Sequence, residues 1–272
     1  MSYPSPRALL DRYGLRAKKS WGQNFLGDEE ILDHIARLAV TAPGERVVEL
    51  GAGLGHLTAR LLARGAEVTA VERDRDMAAV LRGELGDRIT LLEADAVKIA
   101  YSALAAGGKV AVVGNLPYHL TSPILFALLD QAEAVSRAVF LLQREVAVRL
   151  AAKPGTKDWG LLSVLLQQRA DVTVERRVPR GAFLPPPEVE SAVLRIGFRP
   201  PRAPVADEAR FRRLVKAGFG QRRKVLANAL AAAGLWPSDQ LVAALERAGV
   251  DGRRRGETLT VEEWAALERA LG

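Results

Sequence analysis

The sequence contains no cysteine, and this absence excludes several classes of protein. Without thiols the chain can hold neither a disulfide framework nor a cysteine-ligated zinc, and no thiolate can act as a nucleophile. Histidine is almost as rare: His34, His56 and His119 are the only three, and they lie far apart in the chain. The sequence therefore predicts no metal site.

Long apolar segments are also lacking. No run approaches the roughly 18 apolar residues that a membrane-spanning helix requires, and the basic N-terminal segment has no apolar stretch typical of a secretion signal. Hydrophobic residues make up 49% of the chain and charged residues 26%, a balance that excludes a disordered protein. We therefore expect a soluble, cytoplasmic protein with no membrane partner.

Positive charge is concentrated near the two ends of the chain. The formal net charge is +7, from 39 Lys and Arg against 32 Asp and Glu. Nine basic residues lie within 199–224 and five within 7–19. Such runs are usually solvated helix faces, but two clusters that flank a nearly neutral middle can also form a surface that contacts phosphates. The charge pattern favours a polyanionic partner.

Strands and helices alternate through most of the chain. Buried strands are predicted at 46–50, 67–72, 89–93, 109–113 and 136–142. Helices between them indicate an α/β fold with a doubly wound, mostly parallel sheet covered on both faces. Two later strands, 172–178 and 192–198, follow without a crossover helix, so we expect an antiparallel pair at one sheet edge.

The pattern becomes entirely helical towards the end of the chain. Prolines at 200, 201 and 204 mark a linker over 199–205, and the apolar residues beyond it recur at helical spacing. We therefore divide the chain into a basic N-terminal extension (1–28), an α/β domain (29–199) and a small all-helical domain (200–272).

A glycine-rich turn follows the first predicted strand. In Glu49-Leu-Gly-Ala-Gly-Leu-Gly-His, Gly51 and Gly53 let the backbone approach a nucleotide-like ligand at the carboxyl edge of the sheet. The dinucleotide-binding pattern requires a further glycine where His56 stands, and there is no Walker lysine, so pyrophosphate binding fits poorly. A dehydrogenase would rest on fold analogy alone.

An acidic residue stands at the end of each of the next two strands. Glu72 could accept hydrogen bonds from both hydroxyls of a ribose. Asp95 could accept from an adenine amino group while the Ala96 amide donates to the ring. Either acid alone fits a helix cap or a loop charge, but their placement on successive strands is similar to that in class I S-adenosylmethionine-dependent methyltransferases.

The most specific signal is Asn115-Leu116-Pro117-Tyr118, at the end of the fourth strand. A nucleobase amino group is a poor nucleophile because its lone pair is delocalised into the ring. The Asn115 amide oxygen and an adjacent backbone carbonyl could both accept from that NH₂ and stabilise the positive charge that develops on nitrogen. Pro117 has no backbone N–H, so it cannot donate a hydrogen bond to these acceptors from within the loop. Tyr118 offers an aromatic surface on which a base can stack. The alternative is a strand-end turn with a packed tyrosine.

With these residues the chain resembles the small-subunit ribosomal RNA adenine dimethyltransferases, from about Lys18 to Leu230. Gly51, Glu72, Asp95 and Asn115 match the family's cofactor positions. Three further motifs also match: Lys19-Ser-Trp-Gly-Gln-Asn-Phe-Leu26, Phe183-Leu-Pro-Pro-Pro-Glu-Val-Glu-Ser191 and Phe219-Gly-Gln-Arg-Arg-Lys-Val-Leu-Ala-Asn228. Two positions depart from the pattern: His119 stands where relatives often carry Asn, and Glu188 where they often carry Lys.

The resemblance implies a reaction and its partners. Methyl groups would pass from S-adenosylmethionine to N6 of two adjacent adenosines near the 3′ end of small-subunit (16S) rRNA, each methylated twice. The substrate would be a pre-assembled small ribosomal subunit, and the enzyme would act as a monomer in ribosome biogenesis. The N-terminal extension would close over the cofactor, the α/β domain would catalyse, and the helical domain would bind rRNA.

The resemblance also implies the site residues. The cofactor-binding set is Gln23, Asn24, Leu26, Gly51, Gly53, Glu72, Asp95, Ala96 and Asn115. The catalytic set is Asn115, Leu116, Pro117, Tyr118 and Phe183, with Phe183 stacking on the target adenine opposite Tyr118. We expect rRNA phosphates to contact Arg212, Arg213, Lys216, Arg222, Arg223 and Lys224. Trp21 is expected to be a packing residue.

Three alternatives remain at this point. A large-subunit rRNA adenine methyltransferase of the macrolide-resistance type would share the motifs, but the extended helical C-terminus argues against it. A DNA adenine methyltransferase usually has two prolines where this chain has Leu116-Pro117. The protein could also act chiefly as an assembly checkpoint that binds immature subunits, with methylation secondary.

Overall fold

The computed structural model describes residues 3–18, 21–221 and 223–272. Arg222, one of the expected RNA-binding residues, lies outside the described residues. Contacts within the chain define two compact units. The first comprises Met1–Ala147 and Thr173–Phe198, and the second comprises Val148–Val172 and Arg199–Gly272.

Seven of the nine strands in the described chain form one sheet. The strands are β1 (Phe25–Leu26), β2 (Arg46–Leu50), β3 (Glu67–Val71), β4 (Thr90–Leu92), β5 (Val110–Asn115), β6 (Val135–Gln143), β7 (Ala170–Val178), β8 (Phe183–Leu184) and β9 (Ser191–Phe198). The sheet order is β4-β3-β2-β5-β6-β9-β7, with β4 to β6 parallel and β9 antiparallel to β6. The predicted doubly wound sheet, with the two late strands at one edge, is confirmed.

Helices precede and follow the strands of this sheet. In the α/β unit they are α1 (Pro6–Arg12), α2 (Glu29–Ala39), α3 (His56–Ala63), α4 (Arg75–Leu85), α5 (Tyr101–Ala105) and α6 (Thr121–Asp130). The α2 helix begins at Asp28, whose side chain accepts from the Ile31 N–H at 3.0 Å. Ile31 and Ile35 are buried in the same apolar cluster as Val47 and Val113 of the sheet.

The helical unit is larger than the sequence indicates. Its helices are α8 (Leu161–Arg169), α9 (Glu208–Gly220), α10 (Leu226–Ala233), α11 (Ser238–Ala248) and α12 (Val261–Ala270), while α7 (Arg144–Leu150) crosses the boundary between the units. The sequence placed 148–172 in the α/β domain, whereas chain contacts group this segment with the C-terminal helices. The sequence pattern predicts a helix over 161–169, but it does not show whether a sheet or other helices cover that helix.

Trp264 is the centre of the helical unit's core. Its side chain is fully buried, and the Phe219 ring lies 5.9 Å from it between centroids. Gly218 on α9 permits this packing, because a Cβ there would lie 2.3 Å from the Trp264 ring. Nearby, the buried Glu268 carboxylate accepts from the Ala206 N–H at 2.8 Å and from Arg210 Nε at 2.8 Å. No described helix is both long and apolar enough to span a membrane.

The parallel register determines where the site forms. Leu50 of β2 pairs with Val71 of β3, and Glu49 pairs with Val113 of β5. The residues that follow these three strands therefore meet at one edge of the sheet. A second, two-stranded sheet pairs β1 with β8, with Leu26 opposite Phe183. The sequence did not predict this pairing, because two residues are too short for any periodicity.

Substitution of Gly218 by Ala should destabilise the helical unit. The added methyl group would collide with the buried Trp264 ring, so we expect Gly218→Ala to lower the free energy of unfolding by about 1–3 kcal/mol. Gly220→Ala is the matched control on the same helix, because no atom lies within 4 Å of its Cβ position. Urea unfolding of both variants provides the measurement, and equal stabilities would contradict the packing described.

Candidate active site

Two adjoining cavities open at the carboxyl edge of the sheet. Their empty volumes, open mouths included, are about 920 and 880 Å³. Both are lined by Trp21, Gly51, Glu72, Leu116 and Pro117. The first cavity is also lined by Gln23, Asn24, Leu26, Gly53, Asn115, Tyr118 and Phe183, and the second by Asp95 and Ala96. The structure thus brings every sequence-predicted cofactor and catalytic residue to one continuous cleft.

Hydrogen bonds connect the glycine turn to Glu72 and β3 at the centre of the cleft. The Gly51 N–H donates to the Val71 carbonyl at 2.8 Å. The Gly53 N–H donates to Glu72 Oε2 and the Asp74 N–H to Oε1, each at 2.8 Å. Burial raises the pKa of Glu72, and these backbone donors partly offset the rise. Each carboxylate oxygen retains acceptor capacity for a ribose hydroxyl.

Asn115 is held in one orientation by the N-terminal segment. Its Nδ2 donates to the Asn24 backbone carbonyl at 2.8 Å, so the side chain presents Oδ1 as its acceptor. The Asn24 side chain in turn donates to the Gly22 carbonyl at 3.1 Å. On the other side, the Leu116 N–H donates to the Leu141 carbonyl of β6 at 3.2 Å. The end of β5 is therefore fixed from both directions.

The Gln23 side chain anchors this N-terminal segment. Its Oε1 accepts from the Lys18 N–H at 2.8 Å, and its Nε2 donates to Asp74 Oδ2 at 2.7 Å. Lys18 Nζ also binds Asp74 and Asp76, each at 2.7 Å. Burial alone would raise the pKa of Asp74, but the hydrogen bonds from Lys18, the Asp76 N–H and Gln23 outweigh it and hold the pKa below its ordinary value. Both polar ends of Gln23 are thus bonded within the chain.

Trp21 has a different environment from the one expected. Its side chain is 41% exposed and lines both cavities. Lys18 Nζ lies 5.4 Å and Arg73 Cζ 5.5 Å from the centroid of the ring, distances that suit cation–π contacts. The expectation of a packing residue is therefore wrong, because this tryptophan contacts cations at the rim of the cleft.

Two aromatic side chains line the first cavity together with Asn115. Phe183 is buried at the start of β8, and its pairing with Leu26 carries it to the cleft. Tyr118 is half-buried, and its hydroxyl lies 3.3 Å from Oγ of the buried Ser191. The two rings therefore reach the same cavity from different parts of the chain, Tyr118 from the turn after β5 and Phe183 from β8.

Asp95 caps a short turn and lies at the edge of the cleft. One carboxylate oxygen accepts from the Val97 N–H at 3.0 Å and caps a short helical turn. The residue also lines the second cavity beside Ala96. His119, which departs from the family pattern, is exposed and lines the same cavity.

Glu49 is a further residue at the site, and the sequence motifs do not single it out. Its carboxyl is 2% exposed, accepts from Thr58 Oγ1 at 2.6 Å and lines the first cavity. Burial raises the pKa of Glu49 to about 8, with a smaller contribution from the nearby Glu72. The available signal was an acidic residue inside an otherwise apolar strand.

The basic residues expected to bind RNA belong to the helical unit. On α9, Arg213 and Lys216 are exposed, and Arg212 is half-buried. Arg223 and Lys224, in the turn between α9 and α10, are exposed. The structure describes five of the six expected residues, and four of these five are exposed.

The chain is similar to known ribosomal RNA methyltransferases over nearly its whole length. The family model described as ribosomal RNA adenine dimethylase matches residues 14–271. A relative from Anaeromyxobacter sp. (strain K), named ribosomal RNA small subunit methyltransferase A, is 72% identical over 99% of this chain and 99% of its own. A relative of the same name from Myxococcus xanthus (strain DK1622) is 56% identical, over 98% of this chain and 95% of its own.

Solved structures share the fold. The crystal structure of the 23S rRNA methyltransferase ErmE superposes with a TM-score of 0.70 at 30% identity, over 91% of this chain and 99% of that chain. A dimethyladenosine transferase from Plasmodium falciparum gives a TM-score of 0.74 at 23% identity, over 89% of this chain and 95% of that chain. These similarities confirm the predicted Rossmann-like methyltransferase fold.

Glu49→Gln should change the pH dependence of stability. Because the pKa of Glu49 is raised to about 8 from 4.5, the folded protein keeps a proton that the unfolded chain releases, and stability falls as pH rises through this window. Glutamine does not titrate and can still accept from Thr58. We expect the free energy of unfolding of the variant, relative to the original chain, to increase between pH 4.5 and 8. Urea unfolding across this range measures the difference, and a constant value would contradict the assignment.

Proposed function

Because this chain belongs to the ribosomal RNA adenine dimethylase family, we propose that it dimethylates N6 of two adjacent adenosines near the 3′ end of small-subunit rRNA. It is an S-adenosylmethionine-dependent rRNA adenine methyltransferase. The small subunit as substrate is supported by the relatives of that name at 72% and 56% identity, against 30% for the 23S rRNA enzyme. We further propose that the enzyme works as a monomer in the cytoplasm, on a pre-assembled subunit.

The observation that carries the proposal is the fixed orientation of Asn115. With Nδ2 bound to the Asn24 carbonyl, Oδ1 is the atom that the side chain offers to a target amino group. The Pro117 carbonyl already accepts from the Leu120 N–H at 2.9 Å, so we assign the second acceptor role to the Leu116 carbonyl. The two oxygens would accept hydrogen bonds from the two N–H groups of the adenine amino group. They would also stabilise the positive charge that its nitrogen acquires as it attacks.

The chemistry of the cleft fits S-adenosylmethionine, which supplies an electrophilic methyl group on sulfonium sulfur. Glu72 would accept from the ribose hydroxyls, and Asp95 with the Ala96 N–H would bind the adenine ring. Gly51 and Gly53 adopt positive φ angles of 71° and 55°, which let the turn present its backbone to the cofactor. The segment containing Gln23, Asn24 and Leu26 would cover the methionine end.

The aromatic pair would hold the target base. Tyr118 and Phe183 line the cavity that also contains Asn115, so an adenine extruded from the RNA could stack between the two rings. No general base is required, because methylation makes the departing N–H acidic enough for water to take its proton. Positioning of the amino group in line with the methyl group supplies most of the acceleration.

The proposal divides the work along the chain. The extension 1–28 and the α/β domain (29–199) would bind cofactor and base, and the helical domain (200–272) would bind rRNA. We assign phosphate contacts to Arg212, Arg213, Lys216, Arg222, Arg223 and Lys224. The exposure of Arg213, Lys216, Arg223 and Lys224 supports this assignment.

The test of the proposal is methyl transfer to unmethylated small subunits, with Asn115→Ala as the critical variant. Mass mapping should find two adjacent dimethylated adenosines with the original chain. The variant loses the amide oxygen, so we expect turnover to fall by about 10²–10³-fold. The cofactor Kd, measured by calorimetry, should rise less than about tenfold, since Glu72 and the glycine turn are intact. Retained turnover in the variant would refute the mechanism, and modification of large-subunit rRNA instead would refute the substrate.

Charge reversal in the turn after α9 should weaken RNA binding. Arg223→Glu combined with Lys224→Glu removes two phosphate contacts, so we expect the slope of log K against log salt to become shallower by about 1–2. The control is Arg64→Glu with Lys109→Glu, which makes the same charge change at exposed residues that precede β3 and β5 in the α/β unit. Salt titrations of RNA binding distinguish the pairs. Equal effects would show that net charge alone matters.

A further inference from the structure

Two residues near the start of the chain bond directly to the glycine turn. The Tyr3 hydroxyl donates to the Leu54 carbonyl at 2.7 Å. The Tyr3 ring meets the His56 ring edge-on, with centroids 5.2 Å apart and planes at 84°. His56 Nε2 lies 2.9 Å from the Pro4 carbonyl, which can only accept, so His56 is the donor. Burial lowers the pKa of His56 to about 4, so this donor is a neutral imidazole at neutral pH.

The glycine turn is packed tightly against this segment. Gly55, which caps the N-terminus of α3, adopts a φ of 82°. A Cβ at Gly55 would lie 2.6 Å from the Tyr3 hydroxyl and 3.0 Å from Leu81 Cδ2. The neighbouring Leu54 is 1% exposed. The turn is therefore in direct contact with this segment, and its residues Gly51, Gly53, Leu54 and His56 also line the first cavity.

The same segment continues into α1, and a hydrogen bond joins its far end to α4. Leu9 and Leu10 of α1 lie in one apolar cluster with Leu54. The Tyr13 hydroxyl donates to Glu84 Oε1 of α4 at 3.0 Å. We call residues Tyr3–Tyr13 the N-terminal strap. It contacts the glycine turn at its first two residues and α4 at its last.

We propose that the N-terminal strap positions the glycine turn for the cofactor, with Tyr3 and His56 as positioning residues. The proposal rests on the cofactor site proposed above, since it concerns the same turn. A turn with three glycines loses much conformational entropy when it becomes ordered. The strap orders the turn before the cofactor binds, so the binding free energy is not reduced by this loss of entropy. It also gives a role to His56, which stands where a dinucleotide-binding turn would have glycine.

The test uses variants at Tyr3 and His56, which bond the strap to the glycine turn, and a control at Tyr13, whose hydroxyl bonds to α4 instead. Tyr3→Phe removes the bond to the Leu54 carbonyl, and His56→Phe removes the bond to Pro4 while keeping a ring. We expect each variant to raise the Kd for S-adenosylmethionine and its KM by about 3–10-fold. The kcat at saturating cofactor should stay within about twofold, because no reacting group is touched. Tyr13→Phe is the matched control and should leave Kd and KM unchanged, even where it lowers the melting temperature.

The outcomes separate this proposal from the function on which it rests. Unchanged Kd in both Tyr3→Phe and His56→Phe would overturn it, as would an equal rise in Tyr13→Phe, which would indicate a general loss of stability. Gly53→Ala tests the turn itself, where a Cβ would lie 3.3 Å from the Phe25 ring. If Gly53→Ala weakens cofactor binding and the strap variants do not, only the strap proposal fails. If Gly53→Ala also binds normally, the cofactor assignment fails with it.

Discussion

The hydrogen bond from Asn115 Nδ2 to the Asn24 carbonyl links the parts of this active site. It connects the end of a central strand to the N-terminal segment that Gln23 and Lys18 anchor through Asp74. That segment continues into β1, which pairs with β8 and so carries Phe183 into the same cavity. A single side-chain amide thus sets the direction of the acceptor oxygen and joins the elements that line the cofactor and base regions.

Buried carboxyl groups give the cleft its electrostatic character. Glu72 receives backbone N–H donors from Gly53 and Asp74, which offset part of the cost of burying its charge. Glu49 has one hydroxyl donor, from Thr58, and its raised pKa favours the neutral form. The pKa of both acids is raised by burial, but Glu72 has more hydrogen-bond donors to stabilise its charged form than Glu49 has. These acids need no histidine beside them, which agrees with the scarcity of histidine in the chain, where there are only three.

Much of the fold and site was predictable, because each signal was local. Glycine after β2, acids after β3 and β4, and Asn115 at the end of β5 all follow from strand patterns, since parallel strands end at one edge. The unpredicted features depend on distant contacts. The Gln23 side chain bonds to Asp74, and neither residue's neighbours in sequence indicate it. The hydrophobicity of Trp21 predicts a packing residue, because the sequence does not show that its neighbours in space are the cations Lys18 and Arg73.

The pairing of β1 with β8 determines when the site is completed during protein synthesis. Chains emerge from the ribosome N-terminus first and begin to fold as they do so. Phe25 and Leu26 are made long before Phe183 and Leu184, so β1 has no partner strand until β8 has left the exit tunnel. The strand β9, which lies between β6 and β7 in the sheet, is made later still. The cavity that contains Asn115 and Phe183 can therefore be complete only after most of the α/β unit has been synthesised.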